Sequence, residues 1–285
     1  HGGSLDLAKN MVDAALAVGG RAVKFQTYRM EAFVTPDHPA YDEFSPEALS
    51  YNQFRELSTY CHERGAVFLS TPFDLESADL LDALDVKVFK IPSGEITNLP
   101  LLRHIAAKGR PMIVSTGMAY LSEVEAAVHT IEEAGNRQFV LLHCVSNYPA
   151  DPASVNLRAM HTMASAFGLP VGFSDHTRGM EVPTAAVALG ARVVEKHFTL
   201  DRNLPGPDHM ASVEPDELNA LVRGIRAVEV ALGDGRKEPT DSEADTALVA
   251  RKSIVTARDI AAGTKVTNQL IVMKSPATGS ERRAT

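Results

Sequence analysis

The fold class this sequence predicts is α/β: an eight-stranded parallel (β/α) barrel of the TIM type, with a small β-rich module after it. Three observations lead there. Seven short apolar runs each end in a polar or ionisable residue, helix-like segments that mostly stop at glycine separate them, and a polar, turn-rich stretch divides this repeating region from a shorter tail.

The runs are Ala22-Val23-Lys24, Val67-Phe68-Leu69-Ser70-Thr71, Val88-Phe89-Lys90, Met112-Ile113-Val114-Ser115, Val140-Leu141-Leu142-His143, Val171-Gly172-Phe173-Ser174-Asp175-His176 and Val193-Val194-Glu195-Lys196-His197. Parallel strands covered by helices on both faces read as continuous hydrophobic runs. A Lys, Ser or His closing such a run sits at the strand's carboxyl end, which is the edge where α/β folds bind ligands.

Helical periodicity fills the intervals. Leu5, Ala8, Met11, Val12, Ala15 and Leu16 form one stripe that stops at Gly19-Gly20. Ser122-Glu123-Val124-Glu125 has the form of a capping box, with Glu125 reaching back to the Ser122 amide, and its helix ends at Gly135. Gly65, Gly109, Gly168, Gly190 and Gly233 also follow helical stretches, where a left-handed residue closes the helix. Strands alternating with helices in this way indicate βαβ units.

A closed barrel is preferred to an open sheet for two reasons. No Gly-x-Gly-x-x-Gly turn follows any strand, which removes the usual dinucleotide reading. Polar residues close every strand, whereas an open sheet concentrates its site at one switch point. Seven strands are legible and the chain opens at His1-Gly2-Gly3 directly before a helix, so the reading expects a further strand upstream of residue 1. Residues 1–233 are assigned to the barrel, 234–246 to a linker and 247–285 to the small module. Within that module Ala250 to Val255 and Lys265 to Met273 have strand-like runs, separated by an Ala262-Gly263-Thr264 turn. A tail of about 40 residues is small for a core of its own.

Composition narrows the function. The 285 residues are 45% hydrophobic and 22% charged, as in ordinary globular proteins. A formal net charge of −8 argues against a nucleic-acid backbone or an anionic membrane as the main partner. Two cysteines, Cys61 and Cys144, imply no disulfide framework, and no apolar stretch approaches the ~18 residues of a membrane span. A cytoplasmic location is expected.

Chemistry concentrates at the strand ends. His176 and His197 close consecutive strands, and neutral imidazoles there form a sparse donor pair for a divalent metal completed by water or substrate oxygens. Lys24 and Lys90 end two other strands, joined by hydroxyls at Thr71, Ser93, Ser115 and Ser174. Two lysines pointing into one mouth imply an anion, phosphate or carboxylate, that neutralises them. Glu95, just past the third strand, is placed to act as general acid or base. Cys144 has no paired base in sequence and reads as a buried thiol, while His62, His104, His129 and His161 fall in helical patterns.

These residues fall in a recognisable series: Val23-Lys24-Phe25-Gln26-Thr27, Ser70-Thr71-Pro72-Phe73, Lys90-Ile91-Pro92-Ser93-Gly94-Glu95, Ser115-Thr116-Gly117-Met118, Leu142-His143-Cys144, Asn147-Tyr148-Pro149, Ser174-Asp175-His176-Thr177, Glu195-Lys196-His197-Phe198-Thr199 and Gly206-Pro207-Asp208-His209. In this order, over nearly the whole chain, the series resembles the N-acetylneuraminate (sialic acid) synthase family, which also includes legionaminate and pseudaminate synthases and spore-coat polysaccharide relatives. The resemblance implies a (β/α)8 barrel followed by a small antifreeze-like (SAF) domain that caps the partner's site in a domain-swapped homodimer.

It also implies condensation of phosphoenolpyruvate with N-acetylmannosamine to give N-acetylneuraminate and phosphate. His176 and His197 then look like ligands of Mn²⁺, or of Mg²⁺ or Co²⁺. Lys24, Thr71, Lys90, Ser93, Ser115 and Ser174 resemble the phosphoenolpyruvate-binding set, with Lys24 also in the catalytic group beside Glu95 and Asp208. Gln26, Glu95, Asn147, Tyr148 and Asp208 resemble residues that contact the sugar or serve the chemistry. Legionaminate-type synthesis from a diacetamido sugar is the first alternative implied, and a catalytically impaired relative in polysaccharide biosynthesis the second. The family's first strand carries a glutamate and an Asn-His pair, of which only His1 corresponds here; its small domain carries an arginine where this chain has Ser275 in Lys274-Ser275-Pro276-Ala277.

Overall fold

A computed structural model describes residues 1–38, 40–206 and 208–276, with the backbone alone at Ala40 and Glu43. Pro207, Ala277 and the rest of the predicted module's end, residues 278–285, lie outside the described residues. Internal contacts divide the chain into a unit His1–Leu232 and a unit Gly233–Thr285.

The first unit runs α1 (Leu5–Ala17), β1 (Ala22–Thr27), α2 (Met30–Phe33), α3 (Ala40–Phe44), α4 (Tyr51–Glu63), β2 (Val67–Pro72), α5 (Leu75–Ala83), β3 (Phe89–Ile91), α6 (Leu99–Ala106) and β4 (Met112–Ser115). It continues with α7 (Leu121–Glu133), β5 (Phe139–Cys144), α8 (Pro152–Val155), α9 (Ala159–Phe167), β6 (Val171–Asp175), α10 (Glu181–Ala188), β7 (Val194–Lys196) and α11 (Pro215–Leu232). All seven strands pair in parallel, in the ladders β1-β2 and β3-β4-β5-β6-β7. β2 packs beside β3. This is the α/β, TIM-barrel-like arrangement that the alternating runs predicted, and among the described residues the eighth strand is not part of it.

Local chemistry starts and stops the helices. Asp74 caps α5, its Oδ1 accepting from the Ser77 N–H at 2.7 Å, and Asn98 caps α6 through Leu101 N–H at 3.3 Å. At α4 the Ser50 and Gln53 side chains accept from each other's backbone amides, a complete capping box. α7 starts two positions earlier than the sequence suggested. Its Glu123, not Glu125, reaches back, accepting from the Tyr120 N–H at 2.7 Å, because the helix begins at Leu121 and Glu123 occupies the third position. α9 ends at Gly168 with φ 64°, a conformation that a Cβ would strain.

Apolar residues on the helix-facing side of the strands build the core. Phe89, Ile91, Val114, Leu141 and Phe173 from the strands meet Phe54, Leu57, Leu81, Leu102, Ile105 and Ile131 from the helices, each at most 1% exposed or nearly so. Phe89→Ala should therefore lower unfolding stability by about 3–5 kcal/mol. Denaturant titration at constant m-value checks this, and a loss under ~1 kcal/mol would place Phe89 outside the cooperative core. Gly172 shows the opposite side of the sheet to be filled as well: a Cβ there would lie 2.6 Å from a Leu142 methyl group and 2.5 Å from the Val193 carbonyl oxygen.

In the second unit, α12 (Ala244–Ala250) precedes β8 (Ser253–Thr256) and β9 (Ile271–Lys274), which pair antiparallel. The end of the expected linker is thus helical: Thr240 N–H donates to Glu243 at 2.8 Å, and the chain passes through a 3₁₀ turn into α12. Both predicted strand regions contain shorter strands than expected, joined through a turn in which Thr264 N–H donates to Ala261. Ser275 donates to the Ala250 carbonyl at 3.0 Å, so the residue standing where an arginine was expected is engaged within its own unit. No helix among the described residues is long and apolar enough to cross a membrane.

Candidate active site

The carboxyl ends of the strands bring the predicted residues into three neighbouring sets. The first is a buried charge cluster. Ser174 on β6 stands in register with Glu195 on β7 and donates to it at 3.0 Å. Glu195 also faces Lys90 Nζ at 3.7 Å and Lys24 Nζ at 4.0 Å. Lys90, only 3% exposed, donates further to Ser115 Oγ at 2.7 Å and to the Ile91 carbonyl at 2.9 Å. Burial alone would raise the Glu195 carboxyl, but the two ammonium groups and the Ser174 hydroxyl hold it down at about 2. Burial pushes Lys90 below its ordinary value, against the pull of Glu195. Within the cluster two ammonium groups face one carboxylate, an excess of positive charge that Asp208 near Lys24 partly offsets and that suits an anionic ligand.

Hydroxyls and a close backbone approach form the second set. Ser93 Oγ accepts from the Gly117 N–H at 3.0 Å and lies 3.1 Å from Cys144 Sγ. A Cβ on Gly117 would come within 2.3 Å of Ser146 Oγ and 2.7 Å of Ser93 Oγ, so only glycine lets these groups converge. Thr71 Oγ1 and Ser146 Oγ are buried without a hydrogen-bond partner among the described residues. An unpaired buried hydroxyl costs roughly 1–3 kcal/mol, and a bound oxyanion would satisfy both.

The third set is the histidine pair. His176 Nδ1–H donates to the Val145 carbonyl at 2.8 Å, which leaves the Nε2 lone pair unprotonated. Burial, with His197 beside it, pushes His176 down to about 4, so it is neutral near pH 7. The two imidazole centroids lie 5.4 Å apart, and Tyr148 walls them at 4.2 Å from His176 and 5.5 Å from His197. His197 Nδ1 faces Asp208 Oδ2 at 3.4 Å. Burial would raise the Asp208 carboxyl, but the hydrogen bond from His197, with Lys24 and His176 nearby, holds it below the usual carboxylate range.

Among the described residues no group of three or more His, Cys, Asp and Glu is arranged to hold a metal. The neutral His176 and its neighbour His197 nonetheless fit a divalent ion as a two-nitrogen donor set, with the remaining positions left for water or substrate oxygen. Such an open shell belongs to catalysis rather than to structure.

The other predicted residues lie around these sets. Glu95 accepts from Asn98 Nδ2 at 2.6 Å, and burial raises its carboxyl above the ordinary value. Gln26, in register with Thr71, and Asn147, beside Tyr148, are exposed at the mouth. The four helical histidines lie in helices, and His104 pairs with Asp79 at 2.7 Å. His143 turns aside to the Val155 carbonyl at 2.6 Å. Lys196 points away from the mouth, pairing with the fully buried Asp175 at 2.5 Å. Three contributors had no assigned role in the sequence reading: Glu195, Ser146 and Gly117. For Glu195 a signal existed, since it alternates with Lys196 and therefore shares a strand face with His197.

Comparison with known proteins places the chain. The N,N'-diacetyllegionaminic acid synthase of Legionella pneumophila is 46% identical over 297 residues, covering 98% of this chain and 83% of that protein. The human N-acetylneuraminate-9-phosphate synthase is 37% identical over 293 residues, covering 96% and 80%. Among solved structures, the N-acetylneuraminic acid (sialic acid) synthetase of Leptospira borgpetersenii serovar Hardjo-bovis, in complex with citrate, superposes with a TM-score of 0.82 at 38% identity, covering 86% of each chain. The NeuB family model matches residues 11–237, most of the chain and every set of residues described above, and the chain therefore belongs to the NeuB family.

Proposed function

We propose that this protein is a nonulosonate synthase that condenses phosphoenolpyruvate with the open-chain aldehyde of N-acetylmannosamine and water, giving N-acetylneuraminate and phosphate with C–O cleavage. The observation that carries the reading is the excess of positive charge at Lys24 and Lys90, set beside two buried hydroxyls that lack partners among the described residues. A compact anion with several oxygens satisfies both at once. The relatives support the product class, because those compared are synthases of N,N'-diacetyllegionaminic acid, N-acetylneuraminate 9-phosphate and N-acetylneuraminic acid.

In this reading Lys24 and Lys90 hold the anionic groups of phosphoenolpyruvate, and Thr71, Ser93, Ser115, Ser146 and Ser174 give or accept hydrogen bonds around them. The C2=C3 π pair of phosphoenolpyruvate forms the new bond from C3 to the aldehyde carbon as the C=O π pair moves to oxygen, and that oxygen ends as a hydroxyl by taking up a proton equivalent to the one released by water at C2. The cationic centre left at C2 accepts water. Glu95, at the mouth, in its carboxylate form takes the proton that this water releases. The resulting tetrahedral intermediate loses phosphate as its C–O bond breaks, and the lysines keep hold of the leaving group. Tyr148, Gln26, Asn147 and Asp208 line the side where the sugar enters. His176 and His197 would hold a divalent ion, Mn²⁺ first and Mg²⁺ or Co²⁺ as substitutes, which supplies Lewis-acid polarisation of the aldehyde oxygen when bound.

The Glu95 role has a pH signature. A base works only when ionised, and burial raises this carboxyl, so kcat/KM should fall on the acid side at a pH above the ordinary glutamate value of about 4.3. Glu95→Gln should remove that limb together with about 10²–10⁴-fold of the rate. An acid limb unchanged in the Gln variant would assign it to another group.

A diacetamido sugar is an equally supported acceptor, favoured by the 46% identity to the Legionella synthase. We read the second unit as the SAF domain, on the strength of its antiparallel strand pair, and propose that it caps the neighbouring subunit in a domain-swapped homodimer. Incubation with phosphoenolpyruvate labelled at the bridging oxygen, Mn²⁺ and each sugar in turn tests the reaction. Mass spectrometry should find the label in phosphate and a nonulosonate formed from one of the two sugars. Label retained in the sugar product, or no product from either sugar, would refute the reading.

A further inference from the structure

We infer that Glu195 is a standing counter-ion for the phosphoenolpyruvate site, a positioning residue that keeps Lys24 and Lys90 extended and caps how tightly the site holds phosphate. The inference rests on the proposed anion site and adds a device to it. Glu195 is no bystander carboxylate: Oε1 faces Lys24 and accepts from Ser174, and Oε2 faces Lys90. Each of its oxygens is thus committed to one lysine. Among the described residues Lys90 has no other carboxylate partner, and it donates besides to the neutral Ser115 hydroxyl and the Ile91 carbonyl.

Two consequences follow from this geometry. With the site empty, two ammonium groups confined near one another would repel, and the carboxylate between them removes that repulsion and fixes their positions. With an anion present, Glu195 competes for the same donors and repels the ligand's oxygens. The net positive charge is then enough to draw a multiply charged anion, yet too small to trap the phosphate that the reaction releases. Product release limits many enzymes, so a device that loosens phosphate raises turnover.

Glu195→Gln tests this, because the amide keeps the shape and the hydrogen bond with Ser174 while deleting the charge. Inorganic phosphate is the probe, and calorimetry on the full chain is the measurement. The Gln variant should bind phosphate at least about tenfold more tightly than wild type, a difference of about 1.4 kcal/mol. In steady-state assays its KM for phosphoenolpyruvate should fall together with kcat, with phosphate becoming a stronger product inhibitor. Glu195→Asp retains the charge but retracts it, so its phosphate affinity should fall between those of wild type and Gln. If the Gln variant does not fold, the Asp variant alone decides: tighter phosphate binding than wild type supports the counter-ion role, and equal or weaker binding overturns it. A Glu195 that merely supports packing would weaken phosphate binding and raise KM in both variants. Wild-type protein that binds neither phosphate nor phosphoenolpyruvate would instead refute the anion site itself, which separates failure of that reading from failure of this one.

Discussion

Lys90→Met is expected to lower kcat/KM for phosphoenolpyruvate by about 10³-fold, the upper end of what one preorganised electrostatic contact contributes. The methionine fills the same volume, so the change isolates the charge. Lys90 is 3% exposed and bonds Ser115 and the Ile91 carbonyl, a position that water cannot take over without opening the strand ends. Losing it also leaves Glu195, among the described residues, with Lys24 at 4.0 Å as its remaining ammonium partner, and breaking a buried ion pair of this kind typically destabilises by about 3–5 kcal/mol. Thermal unfolding measured beside kinetics separates the two effects. A variant that keeps wild-type KM and kcat would remove Lys90 from the anion site.

His197→Ala should be equally damaging to turnover and far gentler to the fold. Its ring is 19% exposed and lies beyond the end of β7, so its loss opens no cavity in the core. Replacing a group that only hydrogen-bonds to a metal ligand usually costs about 10–100-fold in affinity or activity, and loss of one of two imidazole donors should exceed that. Mn²⁺ binding, followed by calorimetry, is expected to weaken in parallel with activity. Intact Mn²⁺ affinity in the variant would show that the ion sits elsewhere.

The strands were legible because a buried parallel strand announces itself as a continuous apolar run, and each of the seven runs holds one. Lys24, Lys90, Ser115 and Ser174 could be grouped in advance for a similar reason: topology brings strand ends together whatever the distance along the chain. Two of the three residues that escaped notice obey no period. Ser146 and Gly117 lie in loops, where only the closeness of one backbone to another's hydroxyl reveals them. Glu195 was hidden by its neighbours, since a lysine and a histidine beside it drew the chemical reading. Its strand parity separates it from Lys196, which serves Asp175 on the opposite face.

α12 was missed through composition. Thr240-Asp241-Ser242-Glu243 is polar enough to read as a linker, yet a threonine followed three residues later by a glutamate is also a helix-start signature, and Thr240 and Glu243 do bond in that way. The same misreading of register displaced the α7 capping box. Where two carboxylates stand two residues apart, as Glu123 and Glu125 do, sequence offers both, and the position of the first helical residue selects one.

The central claim is that one site joins an anion held by lysines to an aldehyde near the histidine pair, and phosphate release tests it most directly. The full-length protein is incubated with phosphoenolpyruvate and Mn²⁺, with and without N-acetylmannosamine or the diacetamido sugar, and with and without a chelator. Phosphate should appear only when sugar and metal are both present, in equal amount to the nonulosonate formed. Phosphate released without sugar, or released undiminished after chelation, would contradict the account.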